Sequence, residues 1–203
     1  MIKSLTILAL CSVLAVDAQF SENAQNNIVA AHNQLRSKIA KGTYRAKGVV
    51  KGPATNMRKI VWDQGIAAKA QAYANTRPKG HSSNRAGLGE NLYWYLSPTP
   101  ITSSERYAPE ACRSWEDEFQ QYGWPTDFQT TSILHATQMA WADTYRIGCG
   151  VNTWKDGRWN KIMVVCQYGM MGNMIGTPVY KKGATCSACP AGTRCETSTG
   201  LCA

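Results

Sequence analysis

Two runs decide the fold: IGCGVNTW at residues 147–154 and WNKIMVVCQY at 159–168, joined by KDGR at 155–158. Both are rich in β-branched and aromatic residues, and an Asp-Gly step between such runs is a strong hairpin signal. In the second run Met163, Val164 and Val165 are consecutive apolar residues, so this strand is expected to be covered on both faces. Leu92 to Leu96 reads as a third strand. A small sheet covered on both faces needs helices above and below it.

Working outward, the rest of the chain supplies those helices. Ser21 is placed to cap a helix that runs to about Lys41 and stops at Gly42. Ile28, His32, Leu35 and Ile39 fall on one stripe of it, which puts His32 on the buried side. Asp63 opens a second helix through Ala67, Ala70, Tyr73 and Ala74, ending near Arg77 and Pro78. A third is expected from about Pro109, a residue suited to a first helical turn, to about Tyr122. Its inward face would carry Ala111, Cys112, Trp115, Glu118 and Phe119. A fourth is expected from Ser132 to Asp143, with Leu134, Met139 and Ala142 inward and His135 beside them. The fold class is therefore α+β, with a small antiparallel sheet between helices.

Residues 1–18 read as a secretory signal peptide. Lys3 precedes an apolar run from Leu5 to Val16, and Val16 and Ala18 supply small residues before a cut at Gln19. The run is shorter than the about 20 residues a membrane span needs, so a secreted protein without a transmembrane anchor is expected. Residues 19–178 form the main domain and residues 179–203 a short extension. The formal net charge of +9 survives cleavage, because Lys3 and Asp17 cancel. Such a charge suits acidic partners such as sulfated glycans, anionic lipid or nucleic acid, but plain solubility accounts for it more simply. No specific nucleic-acid recognition is expected. Basic residues crowd positions 36–59, with no acid between Glu22 and Asp63; an anionic docking surface and an ordinary solvated face both account for them.

Eight cysteines are present, and Cys11 leaves with the leader. The remaining seven leave one thiol over in an oxidising compartment. Cys186, Cys189, Cys195 and Cys202 crowd into seventeen residues among Gly183, Pro190, Gly192 and Gly200. A segment so poor in apolar residues must be stapled. Four zinc-bound thiolates are the rival to two disulfides, and the oxidising compartment favours disulfides.

Polar residues on apolar faces point to a site. Glu118 follows Trp115 by three residues, and Glu90 lies in the run GENL (89–92) just before Tyr93, Trp94 and Tyr95. His81 and His135 are two of three histidines. A buried carboxylate without a partner costs several kcal/mol, and two Glu and two His meeting in one cleft would satisfy each other. Four motifs then occur in order: HNQLR (32–36), GENL (89–92), HATQMAW (135–141), and CQY (166–168) leading to Gly172 and Asn173. By these the chain resembles the CAP superfamily of cysteine-rich secretory, antigen 5 and pathogenesis-related proteins, and particularly the venom allergen-like and activation-associated secreted proteins of nematodes.

The resemblance implies an α-β-α sandwich with a cavity tetrad of His81, Glu90, Glu118 and His135. It implies that His81 and His135 are able to hold Zn2+ or another divalent cation. Leu134 and Met170 depart from the usual residues of the two signatures, and a family cysteine ahead of His81 is absent. Cys149 and Cys166 pair naturally across the hairpin. A two-residue turn at Asp156-Gly157 would set Cys149 opposite Val164, so a longer loop or a bulge is expected. Among three pairings of the tail, Cys186–Cys195 and Cys189–Cys202 is taken, leaving Cys112 unpaired and buried. His32, with Asn33 and Arg36, is read as packing.

The expected function is binding, either of a sterol or fatty acid or of a receptor protein. The aromatic, Pro-interrupted stretch from Tyr93 to Pro100 serves as a groove wall or as ordinary core. A zinc-dependent hydrolase using the tetrad is the alternative, as is a purely structural polar cluster with function on the surface. No His-Glu-x-x-His helix and no serine tied to the tetrad support catalysis, so an enzyme is not expected.

Overall fold

Side chains start the first two helices at the expected positions in the structure, a computed structural model that describes residues 19–203. The leader at 1–18 therefore lies outside the described residues. The Ser21 hydroxyl accepts from the Ala24 N–H at the head of α1 (Glu22–Ala40). The basic segment that follows is mostly loop, with a small hairpin of β1 (Arg45–Ala46) and β2 (Val49–Val50), and leads to β3 (Val61–Trp62). The Asp63 carboxylate accepts from the Ile66 N–H at the head of α2 (Gln64–Asn75). β4 (Gly89–Ser97) contains the expected third strand.

The next two helices differ from expectation. The single helix over 109–122 is two, α3 (Tyr107–Glu116) and α4 (Glu118–Gln121), divided at Asp117. The helix over 132–143 is shortened to α5 (Leu134–Ala140), because Trp141 is extended at ψ 115°. Met139 and Ala142 are buried, but Leu134 faces outward at 38% exposure.

β5 (Arg146–Asp156) and β6 (Trp159–Gly169) form the hairpin. Its loop is Gly157-Arg158, with Gly157 at φ 57°, a conformation in which glycine has no side chain to strain. The expected longer loop or bulge is thus corrected. The turn sits one residue further along than Asp156-Gly157, and that shift alone sets Cys149 opposite Cys166 with the ladder unbroken.

The sheet order is β3-β5-β6-β4, antiparallel except for the short parallel pairing of β3 with β5. Alternation along β6 separates two layers. Ile162, Val164, Cys166 and Tyr168 join the main core with α1, α3 and α5, whereas Met163 and Val165 pack with Ala70 and Ala74 of α2. α2 lies directly on the sheet backbone: a Cβ on Gly148 would fall 2.0 Å from the Ala67 nitrogen, and one on Gly150 2.3 Å from the Gln71 Cα. The result is the expected α-β-α sandwich.

Disulfides join Cys149–Cys166, Cys186–Cys195 and Cys189–Cys202, and Cys112 is free and buried. Burial pushes the Cys112 thiol up to about 12, with Glu116 adding to it, so it is inert. The tail forms a two-residue ladder between β7 (Cys195–Glu196) and β8 (Leu201–Cys202). It is docked: Leu201 is fully buried, the Cys202 N–H donates to the Met57 carbonyl (2.8 Å), and the Ser37 hydroxyl donates to the Thr199 carbonyl (2.6 Å).

The HNQLR motif on α1 organises the main layer. Asn33 exchanges two hydrogen bonds with the Ile60 backbone (2.8 and 2.9 Å), which fixes the approach to β3. Arg36 is fully buried, and its guanidinium donates to the carbonyls of Arg58, Met139, Trp141, Ala142 and Thr144. Burial pulls its pKa down to about 9, with Asp143 opposing and Arg58 adding to the fall, so it stays charged at neutral pH. By taking the carbonyls at the end of α5 it holds the chain out of a further helical turn, which explains the shortened helix. Lys51 is also buried, donating to the Trp124 and Thr126 carbonyls (both 2.9 Å). Two cations of the 36–59 segment are therefore internal and unavailable to an anionic surface.

Replacing Arg36 by Met strands several buried carbonyls, each worth about 1–3 kcal/mol. Arg36→Met is expected to cost at least about 3 kcal/mol in urea unfolding. A loss below about 1 kcal/mol would show that the network does not carry the layer.

Candidate functional site

One loop, one strand and two helix starts bring the four sequence-predicted residues to one cavity of about 450 Å³ beside the edge strand β4. Glu90 comes from the start of β4, His81 from the loop after α2, Glu118 from the start of α4 and His135 from the first turn of α5. Arg85, Leu134, Met171 and Met174 complete much of the lining.

The residues meet as two His–Glu pairs. His81 Nδ1 lies 2.9 Å from Glu90 Oε1. The same carboxylate accepts from the Ser82 N–H (2.9 Å), the Ser82 hydroxyl (2.8 Å) and Gln167 Nε2 (2.9 Å). Burial pushes the Glu90 carboxyl upward, but hydrogen bonds from His81, Gln167 and Ser82 together outweigh it and hold its pKa at about 2. His135 Nδ1 lies 2.5 Å from Glu118 Oε1, and the other Glu118 oxygen accepts from the N–H groups of His135 and Ala136 (both 3.0 Å). Glu118 thus caps α5 while it orients the ring, which stacks on Trp115 at 6.3 Å and 17°.

A relay of hydrogen bonds ties this site to α1. His32 is fully buried, and burial pulls its pKa down to about 4, so it is neutral. Its Nδ1 reaches the Ile28 carbonyl (2.8 Å), which leaves Nε2 to accept the Tyr168 hydroxyl proton (3.0 Å). Asn91 Nδ2 donates both to the Tyr168 oxygen (3.1 Å) and to the His135 carbonyl (3.0 Å). His32 is a packing residue, as its helical position implied. The parts sequence reasoning missed are Ser82, Gln167 and Tyr168: Ser82 adjoins His81 and the other two lie in a quoted motif, but only the register of β4 on β6 sets Gln167 opposite Glu90.

Each glutamate occupies Nδ1 of its histidine, so the neutral rings carry the proton on Nδ1 and keep the Nε2 lone pair. That is the form in which histidine binds metal, with the carboxylate behind it fixing the tautomer. The donor chemistry of His81 and His135 therefore fits a divalent cation. Among the described residues, the one group of three close ligand atoms is Cys186, Cys189 and Cys202. Those sulfurs are bound in disulfides, so the tail has no thiolates for zinc, and the tetrad is two pairs facing a cavity rather than a closed cage.

This fold and this cavity define a class. The sequence profile of the CAP, or cysteine-rich secretory protein, family matches residues 29–168, and the chain belongs to that family. It is 35% identical over 191 residues to a cysteine-rich venom protein of Tityus serrulatus, covering 90% of this chain and 46% of that protein. It is 32% identical over 194 residues to the Ancylostoma secreted protein of Ancylostoma caninum, covering 90% and 44%. The chain thus spans less than half the length of these two relatives. Among solved structures, NaASP2 with Zn2+ superposes with a TM-score of 0.77 at 31% identity, over 91% of this chain and 97% of that one. No described helix is long and apolar enough to cross a membrane.

Glu90 titrates near 2 in the fold against 4.5 ordinarily. Its lowered pKa adds stability above about pH 4.5, and that stability is lost as pH falls towards 2. The span corresponds to at most about 3 kcal/mol. Glu90→Gln is expected to flatten the stability curve between pH 4.5 and 2, read by urea unfolding at each pH. Parallel curves for the two proteins would contradict the assignment.

Proposed function

We propose that the chain is a secreted binding protein in which His81 and His135 hold a divalent cation, zinc foremost, through their Nε2 atoms. On this reading residues 1–18 are the leader, 19–178 the CAP domain and 179–203 its stapled extension. The observation that carries it is the pairing of both Nδ1 atoms with carboxylates, at 2.9 Å and 2.5 Å. The zinc in the NaASP2 structure supports the choice of ion. Two imidazoles leave coordination positions open, where a bound cation would accept an oxygen from water or from a ligand. The apolar rim of Leu134, Met171 and Met174, each about two-fifths exposed, suits a protein receptor or a small hydrophobic ligand such as a sterol or fatty acid.

Binding is favoured over hydrolysis by the state of the carboxylates. A general base works best with a pKa near the working pH. Glu90, held near 2, is a poor base, and both Glu118 oxygens are already committed to His135 and Ala136.

The test is calorimetric titration of Zn2+ into the purified chain and into His81→Ala, His135→Ala. Stoichiometric binding by the first and none by the second is expected. No heat of binding from a folded wild-type chain would leave the tetrad as scaffold.

A further inference from the structure

α2 covers only part of its face of the sheet. It ends at Asn75, where the Ala74 carbonyl accepts from Asn152 Nδ2 (3.1 Å). Beyond that row the register sets Leu96 and Trp154 on either side of Lys161, with Trp94 two residues away along β4. Trp94 and Leu96 are 42% and 48% exposed, and a recess of about 400 Å³ opens over them. Large apolar side chains grouped on a solvent-facing surface mark an interaction site more often than a solvated face.

The chain leaving α2 forms the other wall of the recess. The Arg77 guanidinium lies 5.9 Å from the Trp154 ring, and Lys79 lines the same recess. Arg77 holds φ 52°, the left-handed conformation with which a helix commonly ends, and this turns the chain from α2 across the recess. Lys161 is matched by Asp156 at 2.6 Å, so Arg77 and Lys79 supply the net positive charge.

We propose that this recess binds an acidic glycan. The C–H face of a sugar would stack on the exposed Trp94 indole, and sulfate or carboxylate groups would pair with Lys79 and with Arg77, which Trp154 holds in place. Indoles combine a large apolar face with tolerance of a wet edge, as a sugar requires, and guanidinium and ammonium groups match its anions. Charge selects against the other occupants. A second copy of a +9 chain brings the same cations, and a neutral apolar ligand leaves Arg77 and Lys79 unmatched. This site is separate from the His–Glu cavity, and it places the anionic contact away from residues 36–59.

The probe is a heparin-derived hexasaccharide, titrated by calorimetry at low salt. The variants are Trp94→Ala and Lys79→Glu, both at exposed positions, and Arg45→Ala, Lys47→Ala in the basic segment, each checked for fold by circular dichroism. Saturable binding that weakens with salt is expected. Each recess substitution should weaken it about tenfold or more, and the Arg45, Lys47 variant should bind like the parent. The proposal is overturned by no saturable binding, by full affinity in the recess variants, or by loss in the Arg45, Lys47 variant. It is equally overturned if a polyglutamate peptide of matched charge binds as tightly through Trp94 and Lys79, which would make the ligand an acidic peptide.

Discussion

The buried guanidinium of Arg36 is the constraint on which the rest of the main layer depends. An isolated charge in a protein interior costs far more than a domain has to spare, so this one persists only because five carbonyls converge on it. Four of the five, from Met139 to Thr144, belong to the last turn of α5 and the segment that joins it to β5. That segment therefore has one path available, and the position of His135 at the other end of α5 follows from it. One turn earlier on α1, His32 fixes Tyr168, and Tyr168 and Asn91 between them reach the His135 carbonyl. The His135 side of the site is thus held from α1 through both its backbone and its hydrogen-bonded neighbours.

The His–Glu pairs use the same economy of partners. Glu118 closes the open N-terminus of α5 and orients His135 with one carboxylate. Glu90 joins β4, β6 and the loop that carries His81. Each carboxylate is fully committed, which explains both the low pKa of Glu90 and the unsuitability of either residue as a proton acceptor. What remains uncommitted is one nitrogen on each ring, so the cavity is built to accept a cation or a ligand group rather than to transfer a proton.

Much of this was legible along the chain where the signals are local. Ser21 and Asp63 are short-range caps, and the hairpin follows from residue type and one turn. Two of the four motifs contain Glu90 and His135, while His81 and Glu118 came from the resemblance those motifs carry. Long-range pairing was illegible for physical reasons. β3 is two residues long, too short to show a period, and its parallel partner lies more than eighty residues away. The end of α5 is decided by Arg36, a hundred residues upstream, against the local helical pattern of residues 132–143. An Asp156-Gly157 turn conflicts with the Cys149–Cys166 pairing and so suggested a longer loop or a bulge, whereas moving the turn one residue on, to Gly157-Arg158, reconciles the two with no extra residue. For Trp94 and Leu96 an apolar composition fitted a groove wall and a core equally, and only the end of α2 at Asn75 leaves them facing water.

The central claim is that the glutamates set both cavity histidines in the Nδ1-protonated form, with Nε2 open to a cation. Nitrogen-15 NMR of the imidazole rings at neutral pH tests it directly. The account predicts protonated Nδ1 and unprotonated Nε2 at His81 and His135, with the Nε2 signals moving on addition of Zn2+ while His32 stays unchanged. Protonated Nε2 at both rings, or Nε2 signals indifferent to zinc, would contradict it.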